Sequence, residues 1–223
     1  SDLGLIEKKN ETLNNKSLRG LAYLQAGMSS HKTSLVFAKK FFAARLKNQS
    51  LDAKMRLPSY CMIAKFGSSE NISSLISLYR KSSMALEQQQ ILLALTKISY
   101  KSINQSIKFL FGDEIRDQDR HLALDLALEN PENKLLFWSE VKKHWPILRK
   151  KYEAGRGLGK IVSGLESFNT EKELKDMKTF LNVVDKKTFK QVLKHTIEKI
   201  EVNIAWQIRD QKEVYKYLKS EGL

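Results

Sequence analysis

Cysteine occurs once, at Cys61, so no internal disulfide can form. Its setting, Ser59-Tyr60-Cys61-Met62-Ile63-Ala64, predicts a buried small hydrophobe, and a single thiol suits a reducing, cytoplasmic compartment. Turn formers are scarce too. The chain has 3 Pro and 10 Gly in 223 residues, against average usage of about 5% and about 7%, which leaves little punctuation for a many-stranded β architecture. No apolar run approaches the ~20 residues needed to span a bilayer. The start, Ser1-Asp2-Leu3-Gly4, has neither the basic segment nor the apolar segment of a secretory signal.

Acidic residues are in deficit, with 25 Asp+Glu against 39 Lys+Arg and a formal net charge of +14. Such a balance raises the question of an anionic partner. The cations are scattered, however, in pairs such as Lys8-Lys9, Lys39-Lys40, Lys142-Lys143 and Lys186-Lys187. No tract has the block length of a nucleic-acid-binding tail, so solvated helix faces are the expected role. The aromatics interleaved with cations from Trp138 to Tyr152 fall at helical spacing, which points to core packing rather than base stacking.

Catalytic constellations are missing as well. The four histidines, His31, His121, His144 and His195, are far apart in sequence, and none has a histidine at i+4 as a zinc-binding helix requires. Gly155-Arg156-Gly157-Leu158-Gly159-Lys160 lacks the Gly-Lys-Ser/Thr ending of a phosphate loop and follows no strand, so a loop between helices is expected there. Paired acids such as Asp117 and Asp119 fit a helix N-terminus, where carboxylates meet free amides and a favourable dipole.

Helix periodicity is abundant. Leu18, Leu21 and Ala22 form one stripe ending near Gly27, and Leu35, Ala38, Phe42 and Leu46 form the next. Ile72, Leu75, Ile76 and Tyr79 follow, then Ile91, Leu95 and Ile98, then Ile103, Ile107, Leu110 and Phe111. Leu122, Leu124, Leu126 and Leu128 alternate with period two, but Leu and Ala are helix formers and Asn130-Pro131 is a helix stop, so helix is predicted. Trp138, Val141, Trp145, Leu148 and Tyr152 make an aromatic seam, with Pro146 either kinking that helix or opening a new one. Thr170 and Glu173 form a capping box. A long helix then runs through Phe189, Val192, Thr196, Ile200 and Ile204, with a short one expected after Trp206.

Helices of this length joined by short loops predict an all-α fold, an irregular α-solenoid or superhelix of antiparallel helix pairs, HEAT- or armadillo-like. Residues 1–16 read as a cut edge or partial helix, and 17–223 as a single helical superhelical domain.

Several separated motifs occur in a specific order. Ile115-Arg116-Asp117-Gln118-Asp119 is followed by Asn130-Pro131-Glu132-Asn133, Phe137-Trp138, His144-Trp145-Pro146-Ile147-Leu148 and Tyr152. Next come Leu165 to Thr170, then Phe180, and finally Glu198-Lys199-Ile200-Glu201-Val202-Asn203-Ile204-Ala205-Trp206. This series resembles the C-terminal helical domain of the aminopeptidase N family of zinc metallo-aminopeptidases, in its oxytocinase-like branch. Asp119, Trp138, Trp145, Asn203 and Trp206 are the family-like structural positions, and Pro58, Pro146 and His144 depart from the usual pattern.

The resemblance implies a lid that walls off the peptide cavity of an enzyme removing N-terminal residues. No HExxH site is present here, so zinc and catalysis would reside in other segments of the parent. The implied partners are the parent's own catalytic domain and peptides, with neither nucleic acid nor membrane. Arg116 and Lys142 are candidates for meeting a peptide's C-terminal carboxylate. The competing reading is a stand-alone HEAT-like scaffold binding an acidic partner.

Overall fold

The apolar stripes become helices, separated where turn residues break the pattern. The computed structural model describes residues 4–5, 11–49, 51–99, 102–153, 156–184 and 186–222. Among these the structure is all-α, with eleven α-helices, two short 3-10 segments and no strand. The chain divides into two compact units, Ser1–Asp119 and Arg120–Leu223.

The first unit contains α1 (Leu13–Met28), α2 (Lys32–Leu46), a 3-10 turn (Ala53–Met55), α3 (Arg56–Phe66), α4 (Ser69–Lys81), α5 (Ala85–Leu95) and α6 (Ile103–Leu110). Helix α3 sits at its centre, packed by α1, α2, α4 and α5. Every residue from Pro58 to Ala64 is accordingly buried, as expected for a helix without a solvent face. Pro58 falls in the first turn, where its missing N–H costs little. Cys61 is buried as its sequence setting predicts, and burial pushes its thiol up to about 12.

Helix α1 turns a different face inward from the one its leucines suggest. Leu18 and Leu21 are exposed, while Arg19, Tyr23 and Gly27 are buried. The reason is local. Tyr23 Oη reaches the Ser34 carbonyl and the Ser59 hydroxyl at 3.3 Å each, and Gly27 lets α1 approach Met62, whose Sδ lies 2.2 Å from where a Cβ would stand. Arg19 donates to the Gly4 carbonyl and pairs with Glu11.

A fully buried carboxylate ties the rest of the first unit together. Glu87 accepts a two-pronged bond from Arg45 Nε and Nη2 at 2.8 and 2.7 Å, and bonds of 2.7 Å from Tyr60 Oη and Ser82 Oγ. Burial alone would raise its pKa. The four donated bonds outweigh that and hold it at about 2.

The second unit contains most of α7 (Asp117–Leu128), then α8 (Lys134–Tyr152), α9 (Gly157–Ser163), a 3-10 turn (Gly164–Ser167), α10 (Glu171–Asn182) and α11 (Lys190–Ser220). The period-two leucines of α7 are helical, with Asp117 and Asp119 in its first turn. Helix α8 runs unbroken through Pro146, so no second helix starts there. Pro146 lies on the exposed face, where the carbonyl deprived of its partner can turn to solvent.

Two further expectations are corrected. Gly157 and Gly159 belong to α9 rather than to a loop, while Gly155 lies outside the described residues. A Cβ on Gly157 would stand 2.4 Å from the Tyr152 ring, so this glycine serves close packing. No separate helix follows Trp206 either. Helix α11, 31 residues in all, runs on to Ser220 because nothing between Ala205 and Ser220 breaks a helix.

Candidate functional site

Helix α8 presents its aromatic seam inward, and the whole predicted set, Trp138, Val141, Trp145, Leu148 and Tyr152, is buried. The rings interlock edge to face. Trp138 meets Phe168 and Phe180 at 6.4 and 5.3 Å between centroids, and Trp145 meets Phe180 and Phe189 at 5.6 and 5.8 Å. Such pairs add about 0.5–1.5 kcal/mol each beyond the burial itself. Through these rings Trp138 and Trp145 fasten α8 to α10 and to the start of α11.

Asp176 on α10 completes this arrangement, and sequence reasoning missed it. Trp138 Nε1 donates to its Oδ2 at 2.6 Å, and Lys142 Nζ reaches both oxygens at 2.9 and 2.7 Å while lying 5.4 Å from the Trp138 ring centroid. Burial pushes the Asp176 carboxyl up, but the Lys142 and Trp138 bonds bring it below its ordinary value. The i, i+4 spacing of Trp138 and Lys142 was visible in the sequence. Nothing there pointed to an acid 34 residues beyond Lys142.

Arg116, in the first unit, pairs with Asp119 through Nε at 2.7 Å and Nη2 at 2.6 Å, and Asp119 is itself buried. Both candidate anchors for a peptide carboxylate thus already hold a carboxylate of this chain.

The capping box forms as expected. Glu173 accepts from the Asn169 and Thr170 backbone amides at 2.8 and 3.0 Å, and Thr170 Oγ1 accepts from the Glu173 amide at 3.3 Å. Lys134 adds an ion pair to Glu173 at 2.8 Å. The segment between α9 and α10 is held from the other side by Asn203, whose Nδ2 donates to the Glu166 and Phe168 carbonyls at 2.8 and 3.1 Å. Asn203 therefore clips α11 to the 3-10 turn.

One turn beyond Asn203 the same helix opens a groove of about 410 Å³. Trp206, Val214, Tyr215 and Leu218 supply its apolar surface, with Gln207, Gln211 and Asn203 as polar neighbours and Ser167 and Asn169 on the opposite side. On α11 the row Leu193, Thr196, Ile200 and Ile204 is buried, and its continuation Gln207, Gln211, Val214 and Leu218 lines this groove. Trp206 is 52% exposed. The groove has contact chemistry and no catalytic pair. Among the described residues no group of three His, Cys, Asp or Glu side chains could hold a metal ion, and no helix is long and apolar enough to cross a membrane.

Known proteins share this sequence pattern. The family description "ERAP1-like C-terminal domain" matches residues 1–202. Endoplasmic reticulum aminopeptidase 1 of Homo sapiens is 27% identical over 235 residues, covering 98% of this chain and 24% of that protein. Aminopeptidase M1-D of Oryza sativa subsp. japonica is 28% identical over 165 residues, covering 72% of this chain and 19% of that protein. Aminopeptidase 2, mitochondrial, of Saccharomyces cerevisiae is 26% identical over 163 residues, covering 72% of this chain and 17% of that protein. The chain spans about a quarter of the length of these relatives, or less. With its all-α structure and a family match over most of its length, the chain belongs to the family of ERAP1-like C-terminal domains found in M1 aminopeptidases.

Proposed function

We propose that this chain is the helical wall of the substrate chamber in a zinc aminopeptidase that removes N-terminal residues from peptides. The supporting observation is the extent of the likeness, 98% of this chain against 24% of an endoplasmic reticulum aminopeptidase. In this reading the metal and the catalytic residues lie in other segments of the parent polypeptide. The chamber in this reading admits peptides while rejecting folded proteins by size. The apolar groove on α11 receives part of the parent's own remaining polypeptide, which would cover Trp206, Val214, Tyr215 and Leu218. A cytoplasmic setting is part of the proposal, in keeping with the single buried thiol.

The test uses the chain and its full-length parent side by side. The isolated chain, with or without added zinc, should release no N-terminal residue, and the parent should do so. Trp206→Asp should lower the parent's thermal midpoint and peptide turnover while leaving the isolated chain's midpoint unchanged, because Trp206 is half exposed there. Peptide trimming by the isolated chain, or a parent indifferent to the substitution, would remove the proposal.

A further inference from the structure

A second cavity, of about 310 Å³, lies in the first unit where the end of α2 meets α4. Leu46 and Leu78 form its apolar wall, and Arg45, Asn48, Ser74, Ser77 and Lys81 supply polar groups. Arg45 is fixed in place. Its Nε and Nη2 are held by the buried Glu87 carboxylate, which Tyr60 and Ser82 lock in turn, and its side chain keeps 13% exposure. Among the described residues Arg45 Nη1 makes no hydrogen bond, Lys81 makes no ion pair, and the Ser74 and Ser77 hydroxyls have no partner.

Helix C-termini ordinarily disfavour anions, because their last carbonyls are bare. Here four of those carbonyls are occupied. Ala44 O accepts from the Lys47 and Gln49 amides, Arg45 O accepts from the Asn48 amide, Leu78 O accepts from the Ser82 amide, and Tyr79 O accepts from Gln88 Nε2. Two cations, one of them paired with Glu87, and two hydroxyls line this small volume, a donor set that matches a tetrahedral oxyanion, with several acceptor oxygens, better than a planar two-oxygen group.

We propose that this cavity binds a phosphate group, using Lys81, Arg45 Nη1 and the Ser74 and Ser77 hydroxyls. The inference is independent of the aminopeptidase reading and concerns the chain as it stands.

Titration of the isolated chain with inorganic phosphate, followed through backbone amide resonances, is the experiment. Saturable shifts centred on Asn48, Ser77 and Lys81 are expected. Lys81→Ala should weaken the apparent Kd by about tenfold or more, the usual weight of a charged hydrogen-bonding partner. Ser77→Ala should weaken it by a smaller factor. Lys172→Ala removes the same charge from an exposed position in the other unit and should change nothing. Shifts that do not saturate, equal weakening by Lys172→Ala, an unmoved Kd in both cavity variants, or the same response to acetate at matched ionic strength would each overturn the proposal. The last outcome would mean charge screening rather than a phosphate site.

Discussion

Glu87 has no exposure and keeps its charge only because Arg45, Tyr60 and Ser82 surround it with donors. Removing the charge leaves Arg45 nearly buried beside a neutral group. Loss of one partner of such a pair costs about 3–5 kcal/mol. Glu87→Gln should therefore lower stability by about that amount in urea unfolding at neutral pH. The acid dependence follows from the same site. The carboxyl has an ordinary value of 4.5 and is held at about 2 in the fold. Its contribution is thus fully present above 4.5 and disappears as pH falls toward about 2. The wild-type chain should lose stability across that window more steeply than Glu87→Gln, and parallel acid profiles would contradict this account.

At the scale of elements, glycine decides how closely helices approach, and two positions separate the physical cases. A Cβ on Gly164 would meet backbone of α7, with the Asp125 carbonyl oxygen at 2.6 Å and its Cα at 2.9 Å. Backbone cannot step aside cheaply. Gly164→Ala should cost about 1–3 kcal/mol through forced overpacking. A Cβ on Gly27 would meet the Met62 side chain, with Sδ at 2.2 Å, Cε at 2.3 Å and Cγ at 2.8 Å. A side chain yields more readily than backbone, and alanine gains up to about 1 kcal/mol of helix propensity, so Gly27→Ala should cost less than Gly164→Ala. Thermal melts of the two variants compare them directly, and a larger loss at Gly27 would reverse the interpretation.

The α1 stripe shows why element-scale reading of sequence is incomplete. Leu18 and Leu21 satisfy the period of an apolar face, yet Tyr23 and Gly27 carry the packing. Periodicity specifies that a helix forms. Which of two overlapping stripes turns inward depends on what the neighbour offers, and here α3 offers Ser59 and Met62.

For the whole molecule, the net charge of +14 sets the long-range field and the proposed chamber sets its use. A peptide's C-terminal carboxylate would be drawn to a basic wall, and Arg116 or Lys142 would have to exchange Asp119 or Asp176 for it. The full-length parent should accordingly cleave peptides with free C-termini faster than the same peptides amidated, with a ratio that shrinks as salt is raised. Equal rates at low salt would remove the carboxylate contact from the proposal.

The linear pattern determined that this chain is helical, where its capping box lies, that α8 carries a buried aromatic seam, and to which family it belongs. Each of these depends on spacing within a dozen residues, or on residue identities in order, both of which sequence preserves. Only the tertiary structure decided that Glu87 is the centre of a buried charge cluster, that Asp176 receives Trp138 and Lys142, and that the α11 stripe emerges uncovered beyond Ile204. Those features join side chains tens of residues apart. Their energies arise from removing water between groups that the one-dimensional order leaves unrelated.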